Sequence, residues 1–396
     1  MKIIATNDIL SVNLIYGANR YVYSLTSALA ARGHDVELVL PIPAGENADI
    51  LRAQFPAIKI FDIPLTGSAP QRGLKIMLGL RRTLLDRIHE TKPDIALFFQ
   101  PKTAMGPLFL GPPPDIARVY HFLSPWGTEF ELKTGGKTDI RYKARISIEK
   151  HLLLNCHAIV PMSRFMHDRM LEMHPEASKR RIGILAGAAD VHRFHPPDDL
   201  AAARECARFP KDRFVLFTVR QFTLRTGLDL LIDAMAAVAK KHPEALLVMG
   251  GQGPMKPELE QRAADLGLQD HIRFEGYIDE DLLPMYYGAA DLFVLPTRAL
   301  EGFGLVTVEA MASGTPVLAT PVGANLEVVG GFSRELLSAE VSADSLAERI
   351  IHWIGRREEL SAMRTACRDY AVATYSWETV AECMEGFYNQ VLDSLK

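Results

Sequence analysis

Cysteine is scarce: 396 residues hold four, Cys156, Cys206, Cys367 and Cys383, with no CxxC or CxxxC pair among them. A metal cage needs closely spaced ligand pairs, and a disulfide-stapled fold needs a short cysteine-dense chain. Neither is supported, and four reduced thiols are expected. No apolar run reaches the ~18 residues that cross a bilayer. The opening Met1–Thr6 is a short apolar stretch followed by Asn7 and Asp8. It lacks the charged head, long apolar middle and small-residue cleavage site of a secretory leader, so a cytoplasmic protein is expected. Low-complexity segments and short-period repeats are missing too. A composition of 48% hydrophobic and 23% charged residues, with net charge -4, excludes disordered and fibrous classes.

Charge is nearly balanced overall but unevenly divided. Residues 1–190 carry 24 Lys and Arg against 18 Asp and Glu, whereas the remainder carries 20 against 30. The positive part includes Arg81, Arg82, Arg87, Lys133, Lys137, Arg141, Lys143, Arg145 and Lys150. Such a division fits either a solvated helical face or a surface for an anionic acceptor or a membrane. Nucleic acid is disfavoured, because neither a recognised binding motif nor a basic stripe interleaved with aromatics is present.

Strand-like runs alternate with helical periodicity along the chain. Lys2–Thr6, Val36–Leu40 (ending at Pro41), Asp94–Phe99, Arg118–Phe122 and His157–Pro161 are short apolar runs. A helical pattern spans Arg20–Arg32 and stops at Gly33. After an irregular stretch around Phe194-His195-Pro196-Pro197 the alternation restarts with Phe214–Val219, Leu228–Lys240, Ala245–Met249, Ile272–Phe274, Leu292–Leu295 and Val317–Ala319. This alternation predicts parallel strands joined by helical crossovers. We read two doubly wound α/β domains, residues 1–190 and 191–375, with residues 376–396 forming a helix that folds back onto the first. In such folds ligands bind at the carboxyl ends of the strands.

The segment from Leu295 to Pro316 carries the most chemistry. A strand ends at Pro296, a loop holds Glu301, Gly302, Phe303 and Gly304, and a helix runs to about Ser313. Glycines at a helix start let an oxygen-rich ligand approach backbone N–H groups, where aligned peptide dipoles add about half a positive charge. That is a seat for a diphosphate. Glu301 and Glu309, if on one helix, stand ~12 Å apart at ~1.5 Å rise per residue. A two-carboxylate glycosidase needs ~5–9.5 Å, so each acid is expected to grip ligand hydroxyls instead.

This segment resembles the Glu-x7-Glu motif of retaining glycosyltransferases of family 4, nucleotide-sugar enzymes with the GT-B fold. Gly251-Gln252-Gly253-Pro254, Ala290–Pro296, Ala310-Met311-Ala312 with Gly314-Thr315-Pro316-Val317, then Gly323 and Glu327, resemble further stretches of that family. So do Gly17, Leu29–Val36 and Leu185–Asp190 with Arg193-Phe194. The resemblance implies a GT-B fold of two Rossmann-like doubly wound domains facing a cleft, with the acceptor on the first and the nucleotide sugar on the second. It also implies retention at the transferred sugar and an acceptor such as a surface-polysaccharide intermediate, a lipid-linked sugar or a small natural product. No resident cofactor and no metal are implied; the donor is a UDP- or GDP-linked sugar.

By position, the resemblance places Glu309 on the donor ribose and Glu301 on the transferred sugar. Amides around Phe303, Gly304, Leu305 and Val306 fall on the diphosphate, Tyr277 and Ile278 beside the nucleobase, and Gly17 at an approaching loop. Two positions depart from the family. Its phosphate-binding Arg and Lys align with Gln221 and Thr226, which makes Arg220 and Arg225, each one residue earlier, the candidate cations. Its active-site His aligns with Leu123, while His121 lies two residues earlier on the same side of a strand. These departures keep open a catalytically silent nucleotide-binding relative; within enzymes the alternative is a GT-B sugar-nucleotide epimerase, acting on the donor with no acceptor, or a phosphorylase, needing inorganic phosphate.

Overall fold

The computed structural model describes residues 1–8, 17–43, 46–66, 68–111, 113, 116–134 and 136–396. The chain divides into two compact units, residues 1–186 with 377–396, and residues 187–376.

In the first unit the described residues form a parallel sheet of β1 (Lys2–Thr6), β2 (Asp35–Pro43), β3 (Lys59–Leu65), β4 (Ile95–Phe98), β5 (Ala117–Phe122), β6 (Ala158–Pro161) and β7 (Arg181–Ile182). Their order is β3-β2-β1-β4-β5-β6-β7. Central strands are covered on both faces, so β4 and β6 bury every residue and read as unbroken apolar runs. The edge strand β3 alternates buried with exposed positions, and this weaker signal leaves no apolar run in the sequence. The expectation that Pro41 ends β2 is corrected: the strand continues to Pro43. β1 has already stopped at Thr6, opposite Val39, so beyond that point β2 pairs only with β3 and a residue without N–H is tolerated.

The helix Trp377–Asp393 belongs to this unit and packs on the helix Gly17–Ala31. It buries Val380, Ala381, Met384, Tyr388 and Val391 on one face, each large apolar side chain contributing ~1.5–3 kcal/mol. Trp377 meets Tyr21 with ring centroids 5.7 Å apart.

The second unit holds a five-stranded parallel sheet among the described residues: β8 (Phe214–Val219), β9 (Ala245–Gly250), β10 (Ile272–Gly276), β11 (Leu292–Leu295) and β12 (Val317–Ala319). The order is β10-β9-β8-β11-β12. The chain therefore winds outward from β8 to β10, then crosses to begin again at β11. The switch lies between β8 and β11, and their carboxyl ends, at Val219 and Leu295, open the crevice where doubly wound sheets take ligands.

Candidate active site

Both sides of that switch point contribute polar groups. Arg220 directly follows β8, and Thr297 lies two residues beyond β11. Glu301, in the loop after Thr297, is 6% exposed. Arg220 Nη2 donates to Glu301 Oε2 at 2.8 Å, and Thr297 Oγ1 donates to the same oxygen at 2.7 Å. Arg220 Nη1 reaches the Thr297 hydroxyl at 3.3 Å, closing a three-membered network. Burial pushes the Glu301 carboxyl up, but Arg220, Arg225 and the Thr297 hydroxyl outweigh it and hold the group below the usual carboxylate range. The result is a carboxylate that stays ionised although shielded from water. Among the described residues its side-chain hydrogen bonds use Oε2.

The backbone around Arg220 is held by the glycine turn after β9. Gly251 has φ +118°, and a Cβ there would lie 1.8 Å from the Arg220 carbonyl oxygen. The Gly251-Gln252-Gly253-Pro254 loop is thus a close-approach turn that fixes the end of β8. Thr226, aligned with the family's Lys, is buried and turns its hydroxyl to the carbonyls of Gln221 (2.9 Å) and Thr223 (2.6 Å). Gln221 is exposed. The cations that the structure brings to this corner are Arg220, on Glu301, and Arg225, whose Nη1 donates to the Leu300 carbonyl at 2.9 Å.

The helix Leu305–Ala312 starts from Gly304, whose φ of +84° is a left-handed conformation. Leu305 and Val306 lead its first turn, where the i→i−4 pattern leaves N–H groups without an intrahelical acceptor. The Phe303 side chain faces inward, 4% exposed and edge-on to Tyr375 at 5.5 Å, so only its backbone faces the turn. Glu309 lies within the helix and Glu301 before it, so the two acids occupy different elements. Glu309 is 2% exposed, and the Tyr287 hydroxyl donates to its Oε2 at 3.0 Å. After β10, Ile278 is buried against the end of β9, where a Cβ on Gly250 would stand 2.5 Å from its Cδ1, while neighbouring Tyr277 is half exposed.

Thr297 and Tyr287, each bonded to one of the two acids, were not singled out in the sequence. Thr297 had a usable signal, a hydroxyl residue just past a strand end ahead of the glutamate. Tyr287 had none, because its pairing with Glu309 spans two helices.

In the first unit, Gly17 begins the helix Gly17–Ala31, and the preceding residues 9–16 lie outside the described residues. His121, on β5, is wholly buried. Its Nδ1 lies 3.2 Å from the Tyr21 hydroxyl and its Nε2 2.8 Å from the Tyr388 hydroxyl. Burial among neutral groups pushes its pKa down to about 3. The structure places the His121 ring inside the first unit, with each nitrogen within hydrogen-bond distance of a tyrosine hydroxyl.

Residues 201–371 match the family model described as glycosyl transferases group 1, and residues 15–225 match that of Glycosyltransferase Family 4. The chain belongs to glycosyltransferase family 4. This family member is 31% identical over 210 residues to mannosylfructose-phosphate synthase of Agrobacterium fabrum, a stretch covering 51% of this chain and 46% of that protein. It is also 31% identical over 210 residues to the GDP-mannose-dependent alpha-(1-6)-phosphatidylinositol monomannoside mannosyltransferase of Mycobacterium tuberculosis, covering 51% and 54%. It spans about half the length of the curated relatives it matches. Among solved structures, sucrose-phosphate synthase from Thermosynechococcus elongatus aligns with TM-score 0.81 and 23% identity over 100% of both chains. Anabaena HepE in complex with UDP and glucose gives 0.78 and 18% over 98% of this chain and 99% of that one. These likenesses show the fold of the family member, GT-B with two Rossmann-like domains, as its sequence led us to expect.

Proposed function

We propose that this protein is a retaining, metal-independent glycosyltransferase that moves a sugar from a nucleoside-diphosphate sugar to an acceptor hydroxyl. The observation that carries this reading is the ionised, buried Glu301 held by Arg220 and Thr297 beside the glycine-started helix Leu305–Ala312. A diphosphate on the Leu305 and Val306 amides has the helix dipole behind it, with Arg225 as the nearby cation. Oε1 of Glu301 accepts from a hydroxyl of the transferred sugar. Glu309 receives the ribose by exchanging its Tyr287 partner, and Tyr277 and Ile278 flank the base.

In the reaction the bond from the anomeric carbon to the diphosphate oxygen breaks, the acceptor oxygen bonds to that carbon on the same face, and the acceptor proton passes to the departing phosphate. No protein nucleophile takes part. Catalysis consists of placement and of stabilising charge on the leaving group. In this proposal the cations at the diphosphate are arginines, Arg220 on Glu301 and Arg225 on the Leu300 carbonyl. The basic first unit takes the acceptor side, in contact with an anionic acceptor or surface.

Calorimetric titration of UDP, GDP and their sugars into wild type and Glu309→Ala tests the assignment. The variant is expected to lose about 1–3 kcal/mol of nucleotide binding, the worth of a charged hydrogen bond. Undiminished affinity in Glu309→Ala would overturn the reading. Tight donor binding without transfer or slow donor hydrolysis, across many acceptors, would favour a silent relative.

A further inference from the structure

The first unit has a face on which exposed apolar side chains and uncompensated cations occur together. On the helix Ala69–Thr91, Leu74 is 53% exposed and Leu78 46%, one turn apart, next to exposed Arg72 and Lys75. The helix Pro101–Phe109 packs tightly on it: a Cβ on Gly106 would stand 1.9 Å from the Met77 carbonyl oxygen. At the end of that second helix Phe109 and Leu110 are 47% and 44% exposed, and Arg81 Nη2 donates to the Leu110 carbonyl at 2.9 Å. Phe109 also touches the His151 ring, with centroids 4.2 Å apart, which joins the face to the helix Ile140–Leu154. That helix begins with Ile140, 76% exposed. Its Arg145 lies over the rings of Phe130 (4.1 Å) and Trp126 (5.1 Å) on the adjoining helix Trp126–Thr134, where Leu132 is 46% exposed.

Of the carboxylates on these helices and their caps, Asp86, Glu90, Glu131 and Asp139 are matched by Arg82, Arg87, Lys137 and Arg141, buried Glu149 meets His174, and Glu129 alone has no ion pair among the described residues. Arg72, Lys75 and Lys143 have no carboxylate partner among the described residues, where Lys75 bonds the Thr66 hydroxyl; Arg145 bonds the Arg141 carbonyl and also acts on the Asp139 carboxylate. The side chain of Lys133 lies outside the described residues. Scattered single apolar side chains on a surface need no explanation, but this is a set of six on four mutually packed helices in the positively charged part of a net-negative chain.

We infer that this face is a docking surface for an anionic lipid bilayer, with Leu74, Leu78, Phe109, Leu110 and Ile140 entering the headgroup boundary and Arg72, Lys75 and Lys143 meeting lipid phosphates. Apolar tips combined with cations that have no carboxylate partner among the described residues match a bilayer, which offers acyl chains directly behind a layer of anionic phosphates. The contact is peripheral, since no helix among the described residues is long and apolar enough to cross a membrane. Docking of this kind brings an acceptor that lives in the membrane to the first unit.

The test is co-sedimentation of the full chain with vesicles of 70:30 phosphatidylcholine and phosphatidylglycerol against pure phosphatidylcholine, at low and at high salt. Binding is expected to the anionic vesicles only and to weaken with salt. At about 1 kcal/mol per cation near the surface, Arg72→Gln/Lys75→Gln/Lys143→Gln is expected to lower vesicle affinity on the order of 100-fold. Leu74→Glu/Leu78→Glu is expected to abolish the binding that survives in high salt. The control, Leu326→Glu in the second unit, where Leu326 is 54% exposed, is expected to bind as wild type. All substituted positions are exposed, so unchanged thermal unfolding verifies the folds. Equal recovery in the supernatant with and without anionic vesicles would overturn the inference. So would a dimer in sedimentation velocity that Leu74→Glu/Leu78→Glu dissociates without any vesicle binding, which would give the face to a second copy of the chain. The result stands apart from the donor site: Glu309→Ala is expected to sediment with vesicles as wild type does.

Discussion

Glu301 in the second unit and His121 in the first are both hidden from water, yet one is held charged and the other neutral. Burial opposes charge on each. Around Glu301 it is outweighed by two guanidinium groups and a hydroxyl donor. Around His121 the partners are two tyrosine hydroxyls, neutral groups that satisfy the ring without favouring its protonated form. The difference teaches that burial alone produces a packing residue, whereas burial with a counter-charge produces a fixed electrostatic feature at which chemistry is possible.

The strongest way to break this contrast is to bring Glu301 closer to His121 by removing Arg220, the cation hydrogen-bonded to it, while Arg225 stays. Arg220→Met is expected to destabilise the protein by about 3–5 kcal/mol at neutral pH, the cost of stranding a buried charge. Urea unfolding measures it. Because the stranded carboxyl then has a raised pKa, the deficit is expected to shrink as pH falls and the group takes up a proton. Adding Glu301→Gln should recover part of the loss at neutral pH; a double variant as unstable as Arg220→Met would show that the charge is not the issue.

A smaller effect isolates His121. Its folded pKa of about 3 lies below the ordinary 6.5, so between those values the unfolded chain binds a proton that the folded chain refuses. Stability therefore falls as pH drops through this window, by about 1.4 kcal/mol per pH unit. His121→Phe is expected to have a flatter stability profile between pH 6.5 and 5, whatever its offset at neutral pH. A profile parallel to wild type would mean that the ring already titrates normally. The smallest expected change is at Thr226: Thr226→Val should cost about 1 kcal/mol of stability for its lost hydrogen bond to the Gln221–Thr223 turn. A similar drop in diphosphate affinity, without loss of stability, would assign this position to the ligand.

Much of the fold was legible because strands covered on both faces must be apolar throughout; β4, β6, β9 and β11 announce themselves in this way. β3 and β7 were not legible. One is an alternating edge strand and the other only two residues long, Arg181–Ile182. The turn at Gly304 and the helix after it were readable from local chemistry, since glycine at a helix start has few other uses. Which cation faces Glu301 was harder. Arg220 and Gln221 are sequence neighbours, and only the path of the chain leaving β8, set by the backbone at Gly251, aims the first at Thr297 and leaves the second in solvent. The surroundings of His121 were not legible for a similar reason: its partners Tyr21 and Tyr388 come from distant helices that no local pattern connects to β5.

The last helix also has a bearing on how the chain comes into being. During synthesis the strands of the first sheet emerge early, but the side chains that seal Tyr21 and His121 arrive only with Trp377 and Tyr388. Everything that composes residues 187–376 leaves the ribosome before then. A chain cut before Trp377 is thus expected to leave Tyr21 and His121 without the groups that cover them.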